Sequence, residues 1–319
     1  MNDSVFRTRS LGVPATGLPD QYADGKAAKV WQHYIGGHKQ RTEAYQEFFC
    51  GVLRKHKLKR ILDVACGTGV DSVMLLENGF EMTSVDASDK MLKHALRIRW
   101  SRRKEPAFDN WVIEEGNWLS LSDADFDTPD NGFDAIICLG NSFAHLPDSS
   151  GDLSTQRTAI TNFKDQLRPG GWLFIDHRNY DAIIDTGKAP QRNLYYNSGC
   201  IEDIKTSLLL VDGKPSMLTL DYTVDPSKAD GDFAEEGSEP NVKKQKSESK
   251  PQEVSKFRLS YCPHRLAPFS NLLKEVFSDK ATHTVYGDFK PLGEVENPAY
   301  YVHVIQKPES DRNGMNGEQ

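Results

Sequence analysis

No run of about 18 apolar residues, the length a membrane-spanning helix needs, occurs anywhere in the 319 residues. The opening stretch MNDSVFRTRS has no apolar core of the kind a secretory signal carries. Cysteine is sparse: Cys50, Cys66, Cys138, Cys200 and Cys262 are odd in number, far apart and without a C-x-x-C pair. That argues against a disulfide framework or a zinc site and for reduced thiols. An excess of positive charge is missing too. Asp and Glu total 46 against 39 Lys and Arg, a formal net charge of -7, which excludes a general nucleic-acid partner. The hydrophobic share of 38% is low for a chain that could bury one sizeable core or two small ones, so parts of it are expected to stay outside the core. The expectation is a soluble, cytoplasmic protein with no membrane partner.

Against these absences stands ILDVACGTGVDS, Ile61 to Ser72, followed by MTSVDAS with Asp86 near its end. An apolar strand runs into a Gly67-Thr68-Gly69 turn, and a second strand delivers a carboxylate at its C-terminal end. Glycines allow the tight turn and let a ligand lie against backbone N–H groups. Asp86 can accept hydrogen bonds from both ribose hydroxyls, so the pair reads as a nucleoside-binding βαβ unit. A dinucleotide site would carry G-x-G-x-x-G. Here the third position is Ser72, and Asp63 and Asp71 flank the turn. Two carboxylates repel a pyrophosphate and suit a cation, so S-adenosylmethionine, with its sulfonium and ammonium groups, is favoured over NAD.

Residues 1–40, with the Gly- and Pro-punctuated LGVPATGLPDQYADG, are expected to form an N-terminal arm. Tyr45, Phe48, Phe49, Val52 and Leu53 recur at helical spacing. Strands then alternate with helices: Ile61–Ala65, a helix near Asp71–Leu76, Met82–Val85, a helix Lys90–Arg99 with Met91, Leu92, Ala95 and Leu96 inward, Phe133–Leu139, a helix around Leu153–Leu167, and Trp172–Asp176 after Pro169-Gly170-Gly171. This rhythm predicts an α/β fold, a Rossmann-like, doubly wound, mostly parallel sheet spanning 41–176. Beyond it, Ser207–Val211, Met217–Val224 and the alternation of Phe257, Leu259 and Tyr261 predict an added antiparallel β subdomain over 177–307, a substrate cap that completes the sheet. Asp225 to Ser255 has almost no large apolar residues and is expected to be a disordered insertion. Its Lys243-Lys244-Gln245-Lys246 cluster reads as a solvated charge run. Residues 308–319 are expected to be a disordered tail.

The motifs SVFRTRSLGV, LPDQYADG, ILDVACGTGVDS, SVDASDKML, NSFAHLPD, IDHRNY, LDYTV, KFRLSY and GDFKP extend far outside a shared methyltransferase core. Nearly end to end, the chain resembles the glycine N-methyltransferases, which are class I methyltransferases. The resemblance implies methyl transfer from S-adenosylmethionine to glycine, giving sarcosine and S-adenosylhomocysteine, with no metal. It implies that Ala65 and Gly67 border the methionine part of the cofactor, that Asp86 takes the ribose, and that Asn117 and Trp118 frame the adenine. Leu139, Asn141 and His145 close the cofactor side. Tyr22, Trp31 and Arg41 cover the cofactor, with Arg41 suited to its carboxylate. Arg178 binds the glycine carboxylate, while Asn141, Tyr34, Tyr196, Tyr222 and Tyr261 wall the acceptor and the donor methyl; Tyr34, Arg178 and Tyr222 also border the cofactor. The family further implies a homotetramer whose arms reach neighbouring sites, and inhibition by a reduced folate such as 5-methyltetrahydrofolate at Ser4, Phe6 and Ser216. Three positions depart from its pattern: Thr16 where an acidic residue is expected, Phe6 where tyrosine is, and Ser216 where histidine is.

On the residues alone, plainer readings remain. Arg178 reads as a surface or ion-pairing arginine, His145 and His177 as satisfied structural histidines, Asn141 as a turn cap, Trp118 and Tyr261 as core aromatics. The functional alternatives are a methyltransferase for another small amine or amino acid, and a non-catalytic sensor of S-adenosylmethionine or folate.

Overall fold

A computed structural model describes residues 5–8, 41–190, 194–195, 201–225 and 255–309, with backbone alone at 5–8, 224 and 255–257. Most of the expected arm, the insertion over 226–254 and the tail from 310 lie outside the described residues. β1, Val5–Thr8, precedes the core.

Helix α1, Glu43–Lys55, begins where the Thr42 side chain accepts from the Tyr45 amide at 3.2 Å. Glu43 in its first turn and Arg54 and Lys55 in its last complement the helix dipole. Its apolar face buries Tyr45, Phe49 and Leu53 completely or nearly so, as the spacing predicts.

The alternation then runs β2 (Arg60–Asp63), α2 (Val70–Glu77), β3 (Glu81–Asp86), α3 (Asp89–Ser101), α4 (Pro106–Asp109), β4 (Val112–Glu115), β5 (Phe133–Cys138), α5 (Ser154–Gln166) and β6 (Leu167–Arg178). β4-β3-β2-β5-β6 pair in parallel. All six residues of β5 are buried, as a central parallel strand covered on both faces requires. Next come α6 (Tyr180–Thr186), β7 (Ile201–Val211), β8 (Lys214–Val224), β9 (Ser255–Tyr261), α7 (Leu266–Phe277), β10 (Thr282–Gly287), β11 (Lys290–Pro291) and β12 (Tyr300–Gln306). β12 runs antiparallel beside β6, matching Tyr300 with Arg178, and β10 and β11 continue the sheet to eight strands. β1-β7-β8-β9 form a separate four-stranded antiparallel sheet. The antiparallel strands expected over 177–307 therefore divide: β7, β8 and β9 join β1 in the separate sheet, and residues 282–306 complete the main one.

Three expectations change. Leu96 is 44% exposed rather than inward, because the buried stripe of α3 is only Met91, Leu92 and Ala95. β6 starts at Leu167, not after Pro169-Gly170-Gly171: Leu167 already pairs with Phe133, and the ladder shifts register before Ala135 meets Trp172. Gly170 at φ 70° takes up that irregularity inside the strand. Ser255 opens β9 instead of closing the insertion.

The order β3-β2-β5 places successive crossovers on opposite sides of β2. The crevice between the C-terminal ends of β2 and β5 is where an open α/β sheet binds ligands.

Candidate active site

The glycine turn follows β2. Gly67 has φ 54° and Gly69 φ 87°, and a Cβ on Gly69 would lie 2.8 Å from the Trp111 ring. Asp86, ending β3, accepts from the Gly67 amide and from the Ser88 amide, both at 2.9 Å.

The two carboxylates beside the turn differ in their partners. Asp71 is held by Arg41 through Nε and one Nη at 2.8 and 2.7 Å, so its charge is committed. Among the described residues no cation pairs with Asp63. It accepts from Ser72 Oγ at 2.7 Å and from the Ala65 amide, and burial, with the Asp71 and Asp86 charges nearby, pushes its pKa up to about 7. The Arg41 guanidinium, 4.4 Å above the Tyr45 ring, stays charged: burial opposes the charge, but Asp71 more than offsets it. Its second Nη is buried with no partner among the described residues, an orphaned donor suited to a carboxylate.

Trp118 Nε1 donates to the Val64 carbonyl at 2.5 Å, and its ring stacks on Phe143 at 5.7 Å. Asn117 caps the following turn through Leu119 N–H at 2.9 Å and is exposed. The indole is thus fixed beside the glycine strand and offers a ring edge rather than a donor.

At the end of β5, Leu139 is buried, and its carbonyl accepts from Ser142 Oγ at 2.8 Å. Gly140 (φ 78°) and Asn141 (φ 63°) follow in the left-handed region. Asp176 on β6 grips both amides, at 2.9 and 2.6 Å. Burial drives the Asp176 carboxyl up to about 6 although the two amides and Arg41 pull it down. A Cβ on Gly140 would meet only Ser142 Oγ, at 3.8 Å, so this turn borders open space.

Asn141 Oδ1 accepts from the Arg178 amide at 2.9 Å and from Tyr180 Oη at 3.0 Å. Two donors on one oxygen fix the amide's orientation. Its Nδ2 is buried and has no partner among the described residues. Arg178 is 2% exposed; Nη2 donates to Tyr222 Oη at 3.1 Å and the guanidinium lies 5.0 Å from the Tyr300 ring centre. Tyr222 Oη is 3.5 Å from Tyr261 Oη. His145 packs 4.7 Å from the Tyr261 ring, and burial, then nearby Arg178, lower its pKa to about 4. A pKa that low makes the ring a weak proton acceptor.

The structure therefore gathers Asp86, Gly67, Ala65, Trp118, Leu139, Asn141, His145, Arg178, Tyr222, Tyr261 and Arg41 around the strand ends. Tyr22, Trp31, Tyr34, Tyr196, Ser4 and Thr16 lie outside the described residues. β1 pairs Phe6 with Leu210, which opposes Pro215, so position 6 comes to the same end of that sheet as exposed Ser216. Asp176, Tyr180 and Tyr195 escape the sequence reading. Tyr195 is fully buried, beside Asp176 and stacked on Tyr300 at 3.9 Å. Asp176 had a signal, an acidic residue in an otherwise apolar strand, LFIDH. No group of His, Cys, Asp and Glu among the described residues could hold a metal.

The residues fit S-adenosylmethionine. Asp86 suits its ribose, the orphaned Arg41 nitrogen its carboxylate, and the unpaired Asp63 its positive charge.

Residues 61–171 match the family model described as a methyltransferase domain. The chain is 57% identical over 311 residues to glycine N-methyltransferase of Rattus norvegicus, covering 96% of this chain and 99% of that protein. To glycine N-methyltransferase of Homo sapiens it is 55% identical over 310 residues, with the same coverage. Glycine/sarcosine N-methyltransferase of Aphanothece halophytica is 30% identical over 289 residues, 90% of each chain. Among solved structures, an S-adenosylmethionine-dependent methyltransferase from Clostridium acetobutylicum matches with a TM-score of 0.59 at 14% identity, over 89% of this chain and 99% of that one. At that identity the likeness speaks to the fold alone.

Proposed function

The chain belongs to the glycine N-methyltransferase family, and from that premise we infer that it transfers a methyl group from S-adenosylmethionine to glycine. The observation that carries the substrate is the pair of donors at adjacent strand ends. Arg178 is a buried guanidinium, and Asn141 Nδ2 is a buried N–H with no protein partner among the described residues. Both suit a small carboxylate, and a guanidinium offers it a bidentate fork.

When bound, S-adenosylmethionine supplies an electrophilic methyl on a sulfonium. The protein's part is positional. Arg41 and Asp86 hold the donor's two ends. Asp176 fixes the Gly140–Asn141 turn, Asn141 and Arg178 anchor the acceptor, and Tyr222 and Tyr261 line the wall between. A cation and a neutral amine become a neutral sulfide and an ammonium, so charge is spread rather than created. Alignment in a water-poor site can then supply most of the catalysis. Mixing enzyme, glycine and S-adenosylmethionine and assaying sarcosine tests this. Equimolar sarcosine and S-adenosylhomocysteine are expected, whereas binding without product would make the protein a sensor.

Folate control and a homotetramer are the finer parts of this reading. With Phe6 and Ser216 lacking the hydroxyl and imidazole that the family pattern places there, two hydrogen-bonding groups are lost. Inhibition by 5-methyltetrahydrofolate is therefore expected to be weaker than the family pattern implies. Titrating activity against it checks this, and tight inhibition would show the substitutions to be harmless. Light scattering of the full chain tests the tetramer.

A further inference from the structure

Three histidines cross the sheet in line behind Arg178. His177 Nδ1 lies 2.8 Å from the Arg178 carbonyl, His177 Nε2 is 3.0 Å from His303 Nε2, and His303 Nδ1 is 2.9 Å from His283 Nε2. They stand on β6, β12 and β10, three neighbouring strands. His177 and His303 are fully buried and His283 is half-buried. Phe269 of α7 covers the first two edge-on at 5.0 and 5.2 Å.

The chemistry of the ends leaves one proton arrangement. A carbonyl only accepts, so His177 Nδ1 must carry a proton. A neutral ring then has a bare Nε2, and His303 must donate to it. His303 Nδ1 is consequently bare and accepts from His283 Nε2–H. Each ring's tautomer follows from its inner neighbour, starting at the carbonyl, and the donation from each outer ring holds the inner ring in that form. The rings are kept neutral, because burial lowers His177 to about 4 and holds His303 well below the usual imidazole value.

We propose that His177, locked in one tautomer by His303 and His283, is a positioning residue that holds the Arg178 backbone in register for the substrate carboxylate. The Arg178 peptide is thereby clamped on both sides, by Asn141 Oδ1 at its N–H and by the imidazole at its C=O. The proposal rests on the reading of Arg178 as the acceptor's anchor.

The test uses the full-length enzyme. Nitrogen-15 NMR of histidine-labelled wild type at pH 7 should show His177 neutral with Nδ1 protonated; the opposite tautomer or a cation would overturn the proposal. His303→Phe should release the tautomer and raise the glycine KM about fivefold, the size of one lost hydrogen bond, with S-adenosylmethionine affinity unchanged. His303→Gln, whose amide can donate to His177 and accept from His283, should restore most of it. A wild-type glycine KM in folded His303→Phe, or equal loss in both variants, would refute the role. Should His303→Phe not fold, His283→Phe and the wild-type spectrum decide. If the wild type makes no sarcosine, the functional reading fails while the tautomer measurement still judges the ladder.

Discussion

Asp63 is the residue whose ionisation should report the cofactor. An unfolded chain ionises it near the ordinary value of about 3.9, whereas burial raises it to about 7 in the fold. Between those values the folded protein holds a proton the unfolded chain has lost, so this group's stabilisation falls as pH rises through the window. A bound sulfonium favours the carboxylate and offsets that loss. The melting-temperature increase given by S-adenosylmethionine should therefore be larger at pH 8 than at pH 6; a smaller or equal increase at pH 8 would contradict a role for Asp63 in holding the cation. Tyr222 offers a second test at this scale. Tyr222→Phe removes the oxygen that accepts from Arg178 and leaves a buried charge short of a partner, so kcat/KM for glycine should fall about tenfold, the effect of losing a hydrogen bond to a charged group.

At the scale of elements, the β2–α2 turn is the most constrained joint. Gly69→Ala would place a methyl at φ 87° and 2.8 Å from Trp111, whose ring is pinned by a 2.8 Å bond from Nε1 to Ser84 Oγ. The expected cost is about 1–3 kcal/mol of stability, read as a lower urea midpoint together with weaker cofactor binding. A midpoint within error of wild type would mean the turn relaxes freely. This joint was legible in the sequence because all its determinants are local: apolar strand, two glycines, then Asp86. The strand-end positions of Asn141 and Arg178 were legible for the same reason. What was not legible is pairing at a distance. Arg41 with Asp71 and Asp176 with the Gly140 and Asn141 amides are set by tertiary packing, and no local pattern encodes them. The helix Leu266–Phe277 and strand Tyr300–Gln306 also went unread; the latter is an almost wholly buried antiparallel strand with no alternation to mark it.

For the whole molecule, the chemistry sets the pH behaviour. A glycine ammonium must lose its proton before its lone pair can attack, and His145, with its pKa lowered to about 4, is a poor acceptor for it. Activity should rise from pH 6 to pH 9, and a flat or falling profile would count against direct attack by the free amine. In the proposed function one buried guanidinium selects the acceptor while a separate turn holds the donor. The most direct measurement is sarcosine formation by Arg178→Lys beside wild type, with the S-adenosylmethionine dissociation constant of each. A lysine keeps the charge but loses the bidentate fork. In Arg178→Lys, kcat/KM for glycine should fall about 10- to 100-fold while donor affinity stays within about threefold of wild type, an allowance for the lost contact to Tyr222. Glycine turnover retained at the wild-type level in Arg178→Lys would contradict that role of the guanidinium.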